Sequence, residues 1–249
     1  MHGVTNRLSN CCKCTVFATA MNVQDICNGG NIMSRVKALK EPGSAITHFI
    51  GLVFAVIVTI PLLTKASRTP GTAVWAFAIY AVSTIMLYLA STTYHSFNLT
   101  ETVNTIFKKI DHMMIFVLIA GTYTPFCIQV IGGKEGYTLT AVIWAIAAAG
   151  MIIKMFFVFC PKWVSSVLYI GMGWICVFFL KTLIARMSAP AFAWLFAGGV
   201  VYTIGGIIYS MKMPGFNERH PNFGTHEIFH LFVMAGSLCH FIALYCFVL

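Results

Sequence analysis

Seven stretches of this chain run for 18 or more residues without a single Asp, Glu, Lys or Arg: residues 42–64, 69–100, 112–133, 136–153, 163–180, 187–211 and 228–249. A bilayer core is crossed by about 20 apolar residues in helical form and penalises a charge at its centre, so the pattern predicts seven transmembrane helices. The runs 136–153 and 163–180 are short, but Lys154 and Lys181 stand at their ends, where a long basic side chain can snorkel to the headgroups. Both helices are expected to extend past those lysines. A helical bundle buried in water would need polar outer faces, and a segment such as AVIWAIAAAGMII has none. Composition agrees: 59% of the 249 residues are hydrophobic and 9% charged, with a mean hydropathy of +0.83. A soluble domain carries about 25% charged residues, so a soluble globule, a disordered chain and a coiled coil are excluded. The expected fold class is an all-α integral membrane protein, multi-pass in the cell membrane.

The predicted connections are short and leave no room for a second domain, so residues 41–249 are expected to form one seven-helix transmembrane domain. Residues 1–40 read as an amino-terminal cytoplasmic segment, largely disordered; its apolar stretch TVFATAM is too short for a span or a signal-peptide core. Met33 followed by SRVKALKEPGS reads as a natural start, which would make residues 1–32 a dispensable extension. The CCKC cluster at Cys11–Cys14 is a candidate for palmitate or an incidental run. The nine Cys lie mostly in apolar stretches and read as reduced, small apolar residues.

With seven spans, one side of the membrane collects Arg7, Lys13, Arg35, Lys37, Lys40, Lys108, Lys109, Lys162, Lys212 and Arg219. The other collects Lys65, Arg68, Lys134 and Arg186, with Lys181 at a helix edge. The positive-inside rule therefore places the N-terminus in the cytoplasm and the C-terminus outside. The net charge of +9 becomes an orientation signal rather than a sign of nucleic acid, which is not expected as a partner.

Polar residues inside or at the rim of a membrane carry functional information because they are costly there. Six stand out: His48 early in the first helix, Ser91 and His95 near the end of the second, Asp111 at the start of the third, and His226 and His230 at the start of the seventh. Odd helices start and even helices finish at one face, so topology brings all six to one membrane level. His226 and His230 are four residues apart and can present two imidazoles to one ion, while Ser91 and His95 share another face. With a third His and a carboxylate they make a donor set that zinc takes, and the ion would remove the cost of an isolated Asp111 in the membrane. A buried His is also often a hydrogen-bonded core residue, and an H-x-x-x-H pair is weak by itself. Residues 226–230, HEIFH, spell the H-E-x-x-H of zinc proteases. No Asp or Glu follows Glu227, so a third ligand would have to come from upstream, which is not that layout. Glu227 is rotated about 100° from His226 and faces headgroups or a neighbouring helix.

The stretches EPGSAITHFIG at 41–51, STTYH at 91–95, KKIDHMMIF at 108–116, AGTYTPF at 120–126 and HEIFH at 226–230 resemble, in order and spacing, the motifs of the hemolysin III family. That family is related to the progestin and adipoQ receptors and to the alkaline ceramidases. The resemblance spans residues 36–249. It implies Zn²⁺ bound by His95, His226 and His230, with Asp111 binding the metal or orienting its water and Ser91 hydrogen-bonding in the site. Three His with an open fourth position is the catalytic pattern, in which zinc acidifies a water. Asp111 would then act as general base and Ser91 would steady a ligand or oxyanion. A substrate that reaches such a site is expected to be a membrane lipid, so the function expected is hydrolysis of a lipid amide or ester.

Other positions carry two readings. Glu41 and His48 are contacts around the site or, equally, a helix-start carboxylate and a packed ring. His112 points about 100° from Asp111 and is expected to be interfacial. His240 reads as a core histidine. Pro61 and Pro125 are expected to kink their helices, and Gly198, Gly199, Gly205 and Gly206 to allow close packing. The rival functions are a regulator or receptor of membrane state with structural zinc, a cytolysin, and a membrane metalloprotease using HEIFH. Short outer loops argue against a large extracellular protein ligand.

Overall fold

The computed structural model describes residues 39–211, 213–220 and 223–249. The expectations for disorder, an alternative start and acylation in the amino-terminal segment, and the placement of Lys212, lie outside the described residues. The described chain is helical, with no strand. α1 (Pro42–Arg68), α2 (Val74–Ser96), α3 (Glu101–Pro125) and α4 (Gly133–Phe156) are followed by α5 (Lys162–Gly173) and α6 (Leu180–Arg186). Then come α7 (Ala189–Ser210), the short α8 (Pro214–Arg219) and α9 (Thr225–Ile242). Among the described residues seven helical spans are long and apolar enough to cross a membrane, the fifth being α5 and α6 joined through a 3₁₀ segment. The chain is a seven-span membrane protein. As expected, the fourth and fifth spans run past Lys154 and Lys181.

The third helix departs from the expectation. It begins at Glu101, capped by Thr100, whose hydroxyl accepts the Val103 N–H at 3.4 Å. Lys108 and Lys109 interrupt the charge-free run but not the helix, because they lie where charged side chains still reach headgroups. Asp111 is therefore in the third turn, not at the helix start.

Polarity is inverted relative to a soluble protein. Ile60 and Phe178 are 71% and 85% exposed, while Ser44, His48, Ser91, His95, Asp111 and His230 are buried. An exposed apolar surface of this extent is stable only against hydrocarbon. Successive spans pack on one another, and α9 packs on both α7 and α1, closing the bundle around a central space. Gly205 and Gly206 let α7 approach Phe232 and Ile170 closely.

Among the described residues three departures from regular α-helix lie within the spans, the last a π-helical segment, Ala243–Val248, that ends the seventh. After Pro125 the chain passes into a π-helical segment, Phe126–Ile131. In the fifth span, Trp174–Phe179 is 3₁₀. Backbone groups freed in a membrane must find protein partners, since lipid tails offer none. Tyr123 supplies them: its hydroxyl donates to the Gly173 carbonyl at 2.6 Å and accepts the Cys176 N–H at 2.9 Å. Pro61, by contrast, lies within an uninterrupted α1.

Candidate metal centre and its cavity

The start of α1 is fastened to the end of α2 by two backbone hydrogen bonds, Glu41 N–H to the His95 carbonyl at 3.0 Å and Lys40 N–H to the Ser96 carbonyl at 3.3 Å. This sets the Glu41 carboxylate beside the His95 ring, with Oε2 at 2.6 Å from Nδ1. The hydrogen bond from His95 holds the Glu41 carboxyl below its ordinary range, against the opposing effect of partial burial. A carboxylate can only accept, so Nδ1 of His95 carries the proton and Nε2 presents a lone pair.

His230 is oriented by the same logic from α1. Its Nδ1 lies 3.3 Å from the Ser44 carbonyl and 3.4 Å from the Thr47 hydroxyl, and its ring stacks on His48 at 3.7 Å between centroids. The carbonyl accepts, so here too Nε2 is left bare. His226 completes the group, its Nε2 at 3.4 Å from that of His95. One nitrogen from each of His95, His226 and His230 lies within 4.8 Å of the others.

The donor chemistry fits a divalent cation. Three imidazole nitrogens gathered this closely, two of them without a proton, are stabilised by a positive centre among them. A tetrahedral zinc with Zn–N near 2.05 Å separates its nitrogens by about 3.3 Å, close to the His95–His226 spacing. Glu41 on His95 and the Ser44 carbonyl on His230 are the kind of outer partner that metal-ligating imidazoles have.

Asp111 and Ser91 line the same cavity. Asp111 stands outside the group of three mutually close nitrogens; its Oδ2 is 3.4 Å from Nδ1 of His112. Ser91 Oγ is buried with no hydrogen-bond partner among the described residues, a free donor directly one turn before His95. Glu227 does not face the cluster: Oε1 accepts from the Ser44 hydroxyl at 2.6 Å and Oε2 from the Gly224 N–H at 2.8 Å. It clamps the start of α9 to α1.

Three expectations are corrected here. His112 is buried, not interfacial, with Nδ1 at 2.9 Å from the Lys108 carbonyl and Nε2 at 3.5 Å from the Tyr209 hydroxyl, because α3 starts ten residues before Asp111 and carries both residues into the packed bundle. Lys154 does not snorkel: it is fully buried and donates to Ser165 Oγ and, at 3.1 Å, to Cys160 Sγ. Burial pushes the Cys160 thiol up, but the Ser165 hydroxyl and the Lys154 ammonium outweigh it and hold the thiol below its ordinary value. Asp111 is the third, displaced from the rim for the same reason as His112. Spacing could not reveal Ser44 as a partner of His230, because a backbone carbonyl leaves no mark on residue type.

The cavity measures about 210 Å³, where a single water needs roughly 10–15 Å³. At one end it meets His48, Ser91, Asp111, His112, His226 and His230; from there it runs between Leu118, Ile119, Leu183, Leu195 and Phe196 to His240. Its wall is overwhelmingly apolar between these polar groups.

Comparison with known proteins supplies a family. Residues 36–241 match the family model described as Haemolysin-III related. The chain is 39% identical to Hemolysin-3 of Bacillus cereus over 211 residues, 84% of this chain and 92% of that protein. It is 37% identical to the Hemolysin-3 homolog of Bacillus subtilis (strain 168) over 211 residues, 83% and 94% of the two. It is 26% identical to the monocyte to macrophage differentiation factor of Homo sapiens over 172 residues, 67% and 68% of the two.

Proposed function

The chain belongs to the haemolysin-III related family, and on that premise we propose that it is a zinc-dependent hydrolase of amide or ester bonds in membrane lipids. The observation that carries this reading is the convergence of three imidazoles, two with their tautomers fixed by Glu41 and Ser44, at the mouth of an apolar cavity that runs into the hydrocarbon layer. His95, His226 and His230 would hold the zinc. When bound, the ion supplies a Lewis acid that polarises a carbonyl and acidifies water.

The remaining chemistry belongs to the chain. The Asp111 carboxylate accepts a proton from water entering the polar end, with Nδ1 of His112 at 3.4 Å from its Oδ2. The unpartnered Ser91 hydroxyl donates to the carbonyl oxygen as negative charge grows on it. The apolar wall takes the substrate's chain and keeps bulk water away from the reacting bond.

The test is paired. Purified His226→Ala is expected to lose its zinc and its hydrolytic activity, whereas zinc content equal to wild type would sink the metal reading. Membranes from cells carrying Asp111→Ala are expected to accumulate one amide or ester lipid. An unaltered lipid profile would favour the regulator of membrane state with structural zinc. The metalloprotease reading is disfavoured because both Glu227 oxygens are engaged by Ser44 and Gly224. Direct cytolysis, suggested by the relatives' name, would need a water-lining path, and the wall of this cavity is overwhelmingly apolar instead.

A further inference from the structure

His240 lies ten residues beyond His230 on α9 and lines the same cavity, so it stands about 15 Å deeper in the membrane. It is 8% exposed. Its Nε2 is 3.2 Å from the Leu195 carbonyl oxygen. A carbonyl only accepts, and no carboxylate pairs with this ring among the described residues. Nε2 therefore carries the proton, and Nδ1 is a bare acceptor. That atom is buried and has no hydrogen-bond partner among the described residues.

The ring is held firmly in this state. α7 approaches it at Gly198, where an added Cβ would collide with Cδ2 and Nε2, and Tyr202 and Phe126 pack at 5.4 and 6.3 Å between centroids. An orphaned acceptor is destabilising in hydrocarbon, and a Phe or Leu would fill the same space without that cost. Water is a poor remedy. A buried water needs two to four polar partners, and the neighbouring hydroxyls are engaged. Tyr202 pairs with Ser237 at 2.7 Å; Thr203 donates to the Gly199 carbonyl at 2.7 Å and accepts from Trp174 at 2.8 Å. A single O–H carried by an otherwise apolar molecule would satisfy Nδ1 without needing further polar partners.

We infer that His240 is a second recognition point in the cavity, which selects a lipid whose chain bears a hydroxyl well away from its head. The inference rests on the lipid reading above and sharpens its substrate class: the reacting carbonyl lies among the three imidazoles, and the in-chain hydroxyl donates to Nδ1 of His240.

The experiment is displacement of a fluorescent fatty acid from the purified full-length protein. The competitors are octadecanoate and a series of isomers hydroxylated at successive mid-chain positions. Binding is expected to peak at one hydroxyl position, about tenfold tighter than octadecanoate, the effect of satisfying one buried acceptor. His240→Phe is expected to abolish the peak while octadecanoate binds as before. A flat series in the wild type, or a peak that survives in His240→Phe, overturns the inference while the lipid reading stands. Failure of octadecanoate and of every isomer to displace the probe overturns both. Should His240→Phe not fold, the positional series on the wild type decides alone.

Discussion

Glu41 accepts a hydrogen bond from Nδ1 of His95 at 2.6 Å, and that contact decides which nitrogen of the ring carries the proton. Replacing it with Gln removes the charge and lets the same position donate as readily as accept, so the ring is free to turn its proton inward. Glu41→Gln is expected to weaken zinc binding about 10- to 100-fold, the usual effect of losing an outer carboxylate. Competition with a chromogenic chelator measures this, and an unchanged affinity would mean that the carboxylate does not orient the ligand. At this scale the sequence was informative about residues that are expensive where they stand. His95 and His230 stand inside charge-free runs and His226 just before the last of them, and the structure brings their nitrogens together. Glu41 was legible only as one of two readings, because a carboxylate before a helix has a local explanation too. Ser44 was not legible, since its carbonyl rather than its side chain touches His230.

At the scale of elements, the charge-free runs measured the hydrocarbon layer rather than the helices. That is why α3 extends back to Glu101 and carries His112 and Asp111 into the bundle rather than leaving them at its start. Thr100 followed by Glu101 is a helix-start signal, and it lay outside the run. A lysine at a helix end has two outlets, and for Lys154 the buried Ser165 and the half-buried Cys160 offer the nearer one. The 3₁₀ break at Trp174–Phe179 had no marker, as its residues are ordinary span formers; its stability depends on Tyr123 from α3. Tyr123→Phe leaves a carbonyl and an N–H without partners in the membrane. It is expected to destabilise the fold by about 1–3 kcal/mol, read as a lowered thermal midpoint in detergent. A midpoint equal to wild type would show that the segment closes its own hydrogen bonds.

For the whole molecule, seven spans and their multi-pass placement followed from composition, because the bilayer allows few alternatives to a chain this poor in charge. The positions of the basic residues go further and predict a side. A phosphatase that folds only outside the cytoplasm, fused after Leu249, is expected to be active, and the same reporter placed after Arg219 inactive. The opposite pattern would invert the topology. The closed arrangement of spans was beyond sequence reading, since every apolar face looks alike until its partner is known.

The 3₁₀ segment carries a consequence for how the protein samples its surroundings. None of its six residues is fully buried, Phe178 is 85% exposed, and Trp174, Cys176, Val177 and Phe179 line the cavity. One thin strip of backbone thus separates the cavity from the acyl chains of the bilayer, and under the proposed function a lipid would come and go sideways through a two-dimensional fluid. Its effective concentration is then a mole fraction in that film, not a molarity. In mixed micelles, adding inert detergent at fixed total lipid is expected to lower occupancy by a fluorescent fatty acid in proportion to its dilution at the surface, and occupancy that follows bulk concentration instead would place the entrance in water.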